Sequence, residues 1–197
     1  MSIKIGSVSK FFNAIETENS ELLKPMLKDI DRQVTNIYGI TPILSACLIG
    51  SYDCLHLLLE NNFPYEEIAC MGYTTFPLII AASNGHTDCL NLLLSKGLNP
   101  NVRDSFDRTA IWEASKNGKI DCVRVLIERG ANINIPDDFG NAPIHIAVIN
   151  NNTDIVKLLI EGGADDLAEN NDGYIPFDLA ELTGTGEIYQ NILTAMN

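Results

Sequence analysis

Several kinds of feature are missing from this sequence of 197 residues. No apolar run approaches the roughly 18 to 20 residues that a membrane helix needs, so no membrane span is expected. The opening segment MSIKIGSVSKFFNAIE carries two lysines but no continuous apolar stretch and no small-residue cleavage site, which is not the pattern of a signal peptide. The five cysteines (Cys47, Cys54, Cys70, Cys89 and Cys122) form no CxxC, and their number is odd. That usage fits a reducing, cytoplasmic compartment, the nucleus included, better than a disulfide framework. Basic residues are scarce: 13 Lys and Arg face 26 Asp and Glu, a net charge of −13 and a pI of about 4.5. The mean field of such a chain repels phosphate, so neither nucleic acid nor an anionic membrane is an expected partner.

The signatures of catalysis are missing as well. There is no G-x-G-x-x-G, no G-x-x-x-x-G-K-[ST], no H-E-x-x-H and no G-x-S-x-G. The three histidines, His56, His86 and His145, fall at three different positions of the repeat described next, so they do not converge on a triad or a zinc ion. No catalytic site, cofactor or metal is expected. Cys54, Cys89 and Cys122 share one column of that repeat. Neighbouring helices pack about 8 to 10 Å apart, too far for three stacked thiolates to share an ion at about 2.3 Å. Buried thiols acting as small apolar groups are the simpler reading; Cys70, in a loop, is the one to test for reactivity.

What the sequence does contain is a period. Pro42, Pro77, Ala110, Pro143 and Pro176 fall in register, spaced by 35, 33, 33 and 33 residues. Four residues after each stands an alanine (Ala46, Ala81, Ala114, Ala147, Ala180), and four further on Gly50, Gly85, Gly118, Asn151 and Gly184. Proline at a first helical turn loses no hydrogen bond, because that N–H would be unpaired anyway. Alanine lets two helices approach closely, and Gly or Asn ends the helix in a left-handed conformation. Each unit therefore reads as helix, tight turn, helix, then a loop reaching to the next unit. No unit can bury its apolar face alone, so the units must stack.

The period, the T-P-like helix starts, the A-x-x-x-G turns and endings such as LLLSKGLNPNVRD resemble the ankyrin repeat over residues 36 to 197. The resemblance implies an all-α solenoid of helix–turn–helix units with projecting loop and β-turn fingers, about five repeats plus an N-terminal capping helix pair. The expected organisation is one domain over 1–197: a degenerate cap at 6–35, repeats at 36–70, 71–103, 104–136 and 137–169, and a C-terminal cap at 170–197. Pro25 should leave the second cap helix short or kinked. Two extra residues near Glu66 to Gly72 should bulge the loop there. The last repeat loses most of its outer-helix pattern after Gly184, as a cap would. His145 alone keeps the family's histidine, which implies a structural hydrogen bond. Asn101 and Asn134 stand in a column known for asparagine hydroxylation, with loop hydrogen bonding the simpler role.

The family also implies non-enzymatic protein binding on a concave face of finger tips and inner helices, as an adaptor, inhibitor or assembly chaperone. Small all-ankyrin proteins resemble inhibitors of cyclin-dependent kinases and proteasome-assembly chaperones. Self-association as a structural scaffold is the alternative; the expectation is a monomer. The tip column reads Tyr38, Tyr73, Phe106 and Phe139, then Asp172; these rings either bind a partner or stiffen the row. Residues 33–95 contain no Lys or Arg, whereas 96–129 contain seven basic residues against five acids. Arg103, Arg108 and Lys116 fall in columns facing the concave side, flanked by Asn84 and Asn117, with Trp112 at the base of the inner helix. This island either receives an acidic segment of a partner or forms exposed pairs with Asp104, Asp107 and Asp121.

Overall fold

The expected helix starts and turns are where the register puts them. A computed structural model describes residues 5–65, 68–70 and 73–196. Its first helix pair is α1 (Ile5–Glu16) and α2 (Ser20–Met26), followed by α3 (Pro42–Ile49) and α4 (Tyr52–Glu60). A short hairpin, β1 (Ile68–Cys70) and β2 (Tyr73–Thr75), precedes α5 (Pro77–Asn84) and α6 (Thr87–Ser95). Then come α7 (Ala110–Lys116) with α8 (Ile120–Glu128), α9 (Pro143–Ile149) with α10 (Thr153–Glu161), and α11 (Pro176–Leu182) with α12 (Gly186–Met196). Odd-numbered helices pack side by side in an inner layer, and even-numbered ones form an outer layer. The fold is an all-α solenoid.

The inner helices begin at the residues the period marks, and all five column alanines are fully buried. They are the close-approach points between α3, α5, α7, α9 and α11. The outer helices contribute the leucine-rich side of the core, among them Leu55, Leu58, Leu90, Leu93, Val123, Leu126, Val156 and Leu159. Pro25 does leave α2 short, at seven residues. Its start is held by Asn19, whose side chain accepts from the Leu22 N–H at 2.9 Å.

Two expectations need correction. The last outer helix is not eroded: α12 runs for 11 residues, two more than α10, and Tyr189 is buried beneath it with Ile192 and Leu193 packed alongside. Its apolar residues follow a spacing unlike the L-L pattern of the other units, yet they suffice to cover one side of α10 and α11. The second finger, expected as a bulged loop, pairs instead as an antiparallel hairpin with Ile68 opposite Thr75 and Cys70 opposite Tyr73.

The reason for the hairpin lies in one residue type. In the other fingers an Asn or Asp side chain builds the turn: Oδ1 of Asn36, Asp104, Asp137 and Asn170 accepts N–H groups two and four residues on, at 2.9 to 3.1 Å. Such side-chain acceptors stabilise a compact turn. The second unit has Met71 at that step, which offers no acceptor, while Ile68, Thr74 and Thr75 favour extended backbone. Successive fingers are then tied edge to edge, Ser105 N–H to Thr74 O (3.1 Å), Asp138 N–H to Phe106 O (3.3 Å) and Asn171 N–H to Phe139 O (3.0 Å).

Candidate functional site

The third unit carries the densest cluster of charge and aromatic surface, and it is built from a short stretch of chain. Thr109 caps α7, its hydroxyl accepting from the Trp112 N–H at 3.3 Å. This turn places Arg108 at the junction of finger and helix. Its Nε and Nη2 donate to Asp104 Oδ2 at 2.9 and 2.6 Å, while Nη1 lies 2.7 Å from Glu113 Oε1. The guanidinium also stacks over Phe106 at 4.6 Å and approaches the Trp112 ring at 5.6 Å. Lys116 Nζ sits 5.4 Å from that same indole. Glu113 is further held by the Asn117 amide (3.1 Å) and the Ser83 hydroxyl (3.3 Å).

Asp104 and Glu113 are both buried, so Arg108 is the counter-charge that makes their burial tolerable. Arg103 is engaged separately, 3.1 Å from Asp107 and 2.9 Å from the Pro136 carbonyl oxygen. Of the three cations in the island, Lys116 forms no ion pair among the described residues. Trp112 is 5% exposed and donates its indole N–H to the Asn141 carbonyl oxygen at 2.9 Å, so it presents only a cation-covered face. Asn117 joins the network, whereas Asn84 is exposed and bonds back to Ile80 O at 2.9 Å.

Of the finger aromatics, Phe106 joins this network through the Arg108 guanidinium. Tyr38 is 66% exposed, Phe139 70% and Phe106 41%. The Tyr73 side chain lies outside the described residues, as do those of Cys70 and its neighbours in β1. At the tips of the third and fourth fingers, Asp138 has a carboxyl above its ordinary range, through partial desolvation and the nearby charge of Asp107.

Glu113 was not singled out from sequence, whereas Asp104, read there as an exposed partner of the cations, does pair with Arg108 but is buried. A signal was present for the first: the column holding Glu113 otherwise reads Ser45, Ile80, Ile146 and Leu179. A lone carboxylate in an apolar or small column of a buried helix needs a cation, and Arg108 and Lys116 are the two nearest in sequence; the structure gives it Arg108.

The remaining flagged residues have structural surroundings. His145 is fully buried; its Nδ1 accepts from the Ala142 N–H (3.2 Å), and Nε2–H is shared between the carbonyls of Ala168 (3.0 Å) and Tyr174 (3.3 Å). These partners require the neutral Nε2–H form, and burial lowers its pKa. Cys47, Cys54, Cys89 and Cys122 are free, buried thiols whose pKa values burial raises, Cys89 to about 11. No group of three metal-ligating side chains occurs among the described residues.

The family model for ankyrin repeats (3 copies) matches residues 11–104, 78–171 and 111–194, nearly the whole chain. The chain belongs to the ankyrin repeat family. Among solved structures, a crystal structure of EF0377, an ankyrin repeat protein, is 25% identical, with a TM-score of 0.84 and 98% of both chains covered. A search of curated proteins returns no match. Ankyrin repeats are generally protein-interaction modules and typically non-enzymatic. Among the described residues of this ankyrin protein, no helix is long and apolar enough to cross a membrane.

Proposed function

We propose that this ankyrin protein is a non-enzymatic adaptor, inhibitor or assembly chaperone that holds a partner protein on its concave face. The observation that carries the reading is the exposure of Tyr38, Phe106 and Phe139 on fingers already fixed by side-chain turns and finger-to-finger hydrogen bonds. Large rings held in place before binding lose little conformational freedom when a partner arrives. Tyr73 completes the row by register, and Arg103, Asn84 and Asn117 flank it.

An acidic segment of the partner is received at Lys116, whose ammonium pairs with no carboxylate among the described residues while the indole of Trp112 backs it. Four unbridged buried thiols support a reducing compartment for this encounter.

The test is site-specific photocrosslinking in extracts of cells that express the protein. A photoreactive side chain at Phe106 should capture a discrete partner, while the same group at Arg124, on the outer helix α8, should not. Lys116→Glu should lower the yield at Phe106 at least tenfold. Capture only from position 124, or none from 106, would show that the concave face is not the binding surface.

A further inference from the structure

The net charge of this chain is concentrated at one end. From 131 to 197 there are eleven Asp and Glu against a single Lys157, so this third of the chain holds most of the excess acid. Lys157 lies on the outer helix α10, beside Glu161 at 3.9 Å, and so does nothing for the concave side. On that side the exposed acids are Asp138 and Asp172 at the finger tips. Partial desolvation, with Asp107 and Asp137 nearby, lifts the Asp138 carboxyl above its ordinary range.

The same surface is apolar where the middle of the stack is polar. In the inner-helix column that holds Ser83 on α5 and Lys116 on α7, the last two units carry Ile149 and Leu182, both exposed, Leu182 by 69%. One helical turn earlier stand Ile146 and Leu179, buried between the helices and continuous with them. At the finger end of the same two units, Phe139 and Tyr174 are exposed. Scattered apolar residues on a surface need no explanation, but four on two adjacent units, rimmed by acids, are the pattern of an interaction site.

We infer that the concave face of the last two units docks a basic, apolar-bearing segment of a partner protein, its side chains meeting Phe139, Ile149, Tyr174 and Leu182 and its cations meeting Asp138 and Asp172. This rests on the concave-face reading above and gives it a direction. A segment lying along the face meets a cation at Lys116 and acids beyond it, so one orientation along the stack is favoured. The acidic field draws the segment in, and the apolar contacts retain it.

The test uses the whole protein and two fluorescent amphipathic peptides with identical leucine spacing, one carrying lysines and one glutamates. The lysine peptide should bind, more weakly as salt rises, and the glutamate peptide at least tenfold less well. Phe139→Ser with Leu182→Ser keeps every charge and alters only exposed side chains; it should weaken the lysine peptide at least tenfold without moving the melting temperature. Asp138→Asn with Asp172→Asn should weaken it and flatten the salt dependence. Binding that ignores Phe139→Ser with Leu182→Ser is nonspecific attraction and overturns the inference. A concentration-dependent dimer abolished by that pair assigns the patch to a second copy and also overturns it. If the glutamate peptide binds instead and depends on Lys116, this inference falls while the concave-face reading stands. If neither peptide responds to any concave-face substitution, both fall.

Discussion

Arg108 and Glu113 are joined across the start of α7, Nη1 to Oε1 at 2.7 Å, and the second side of the same guanidinium holds Asp104. Both carboxylates are buried, so the arginine cannot be removed without leaving two negative charges unpaired. Arg108→Ala is expected to cost about 3 kcal/mol, the lower end of the range for breaking a buried pair because the guanidinium is partly open to water. Chemical denaturation of the variant checks this. Arg108→Ala with Glu113→Gln should recover part of the loss, and a loss below about 0.5 kcal/mol, typical of a surface pair, would contradict the network. Reversing charge at Arg108 therefore perturbs the fold, and Lys116 is the cleaner probe of binding.

His145 makes stability depend on pH in a defined direction. Its folded-state pKa is lowered by burial, whereas the unfolded chain takes up a proton near about 6.5. Above that value both states are neutral and the contribution is complete. As pH falls through it, the unfolded state binds the proton first and stability declines. Thermal melts should thus show the protein losing stability between pH 7 and pH 5.5, with a shallower slope in His145→Gln. An equal slope in both would remove His145 as the cause.

The turn at Gly50 combines two constraints that can be separated. Its φ is +89°, and a Cβ there would run into the His86 imidazole, whose ring nitrogen also approaches the Leu48 carbonyl oxygen at 3.2 Å. Gly97 has a similar φ of +87° with nothing near its Cβ direction. Gly97→Ala should therefore cost only the left-handed penalty, about 1 kcal/mol, and Gly50→Ala distinctly more. Adding His86→Ala to Gly50→Ala should bring the two costs closer together. Equal costs for the two single substitutions would show that the imidazole yields freely.

The four buried thiols should be silent in the native protein. Burial raises every one of their pKa values, Cys89 to about 11, so thiolate is rare at pH 8 and access is closed as well. Cys47, Cys54, Cys89 and Cys122 are expected to resist an aromatic disulfide reagent until denaturant is added. Mass mapping of rapid labelling at any of them in native buffer would argue against this packing.

Much of the scaffold was legible because its columns are repeated: a proline, an alanine four on and a glycine four further recur with a fixed local meaning. The misreadings came where a unit departs from its neighbours. Met71 replaces a turn-building Asn or Asp, and nothing in a one-residue change announces that the finger will pair as strands. The apolar residues of α12 do not follow the repeat, so alignment to the other units hides a helix that ordinary amphipathic spacing supports. The cations of the third unit were visible, and two of the acids read as their partners, Asp107 and Asp104, do pair with Arg103 and Arg108. Arg108 holds Asp104 and also Glu113, the second pairing being set by where the capped start of α7 places both side chains.

The inward-facing charges of the third unit balance within a span from Asp104 to Asn117, with one hydroxyl borrowed from Ser83. Its indole leans on a backbone carbonyl, a group that any following unit supplies at the same step. The unit is consequently a cassette: duplicated, or transplanted into another stack, it brings its own counter-ions and strands no charge at the junction it leaves.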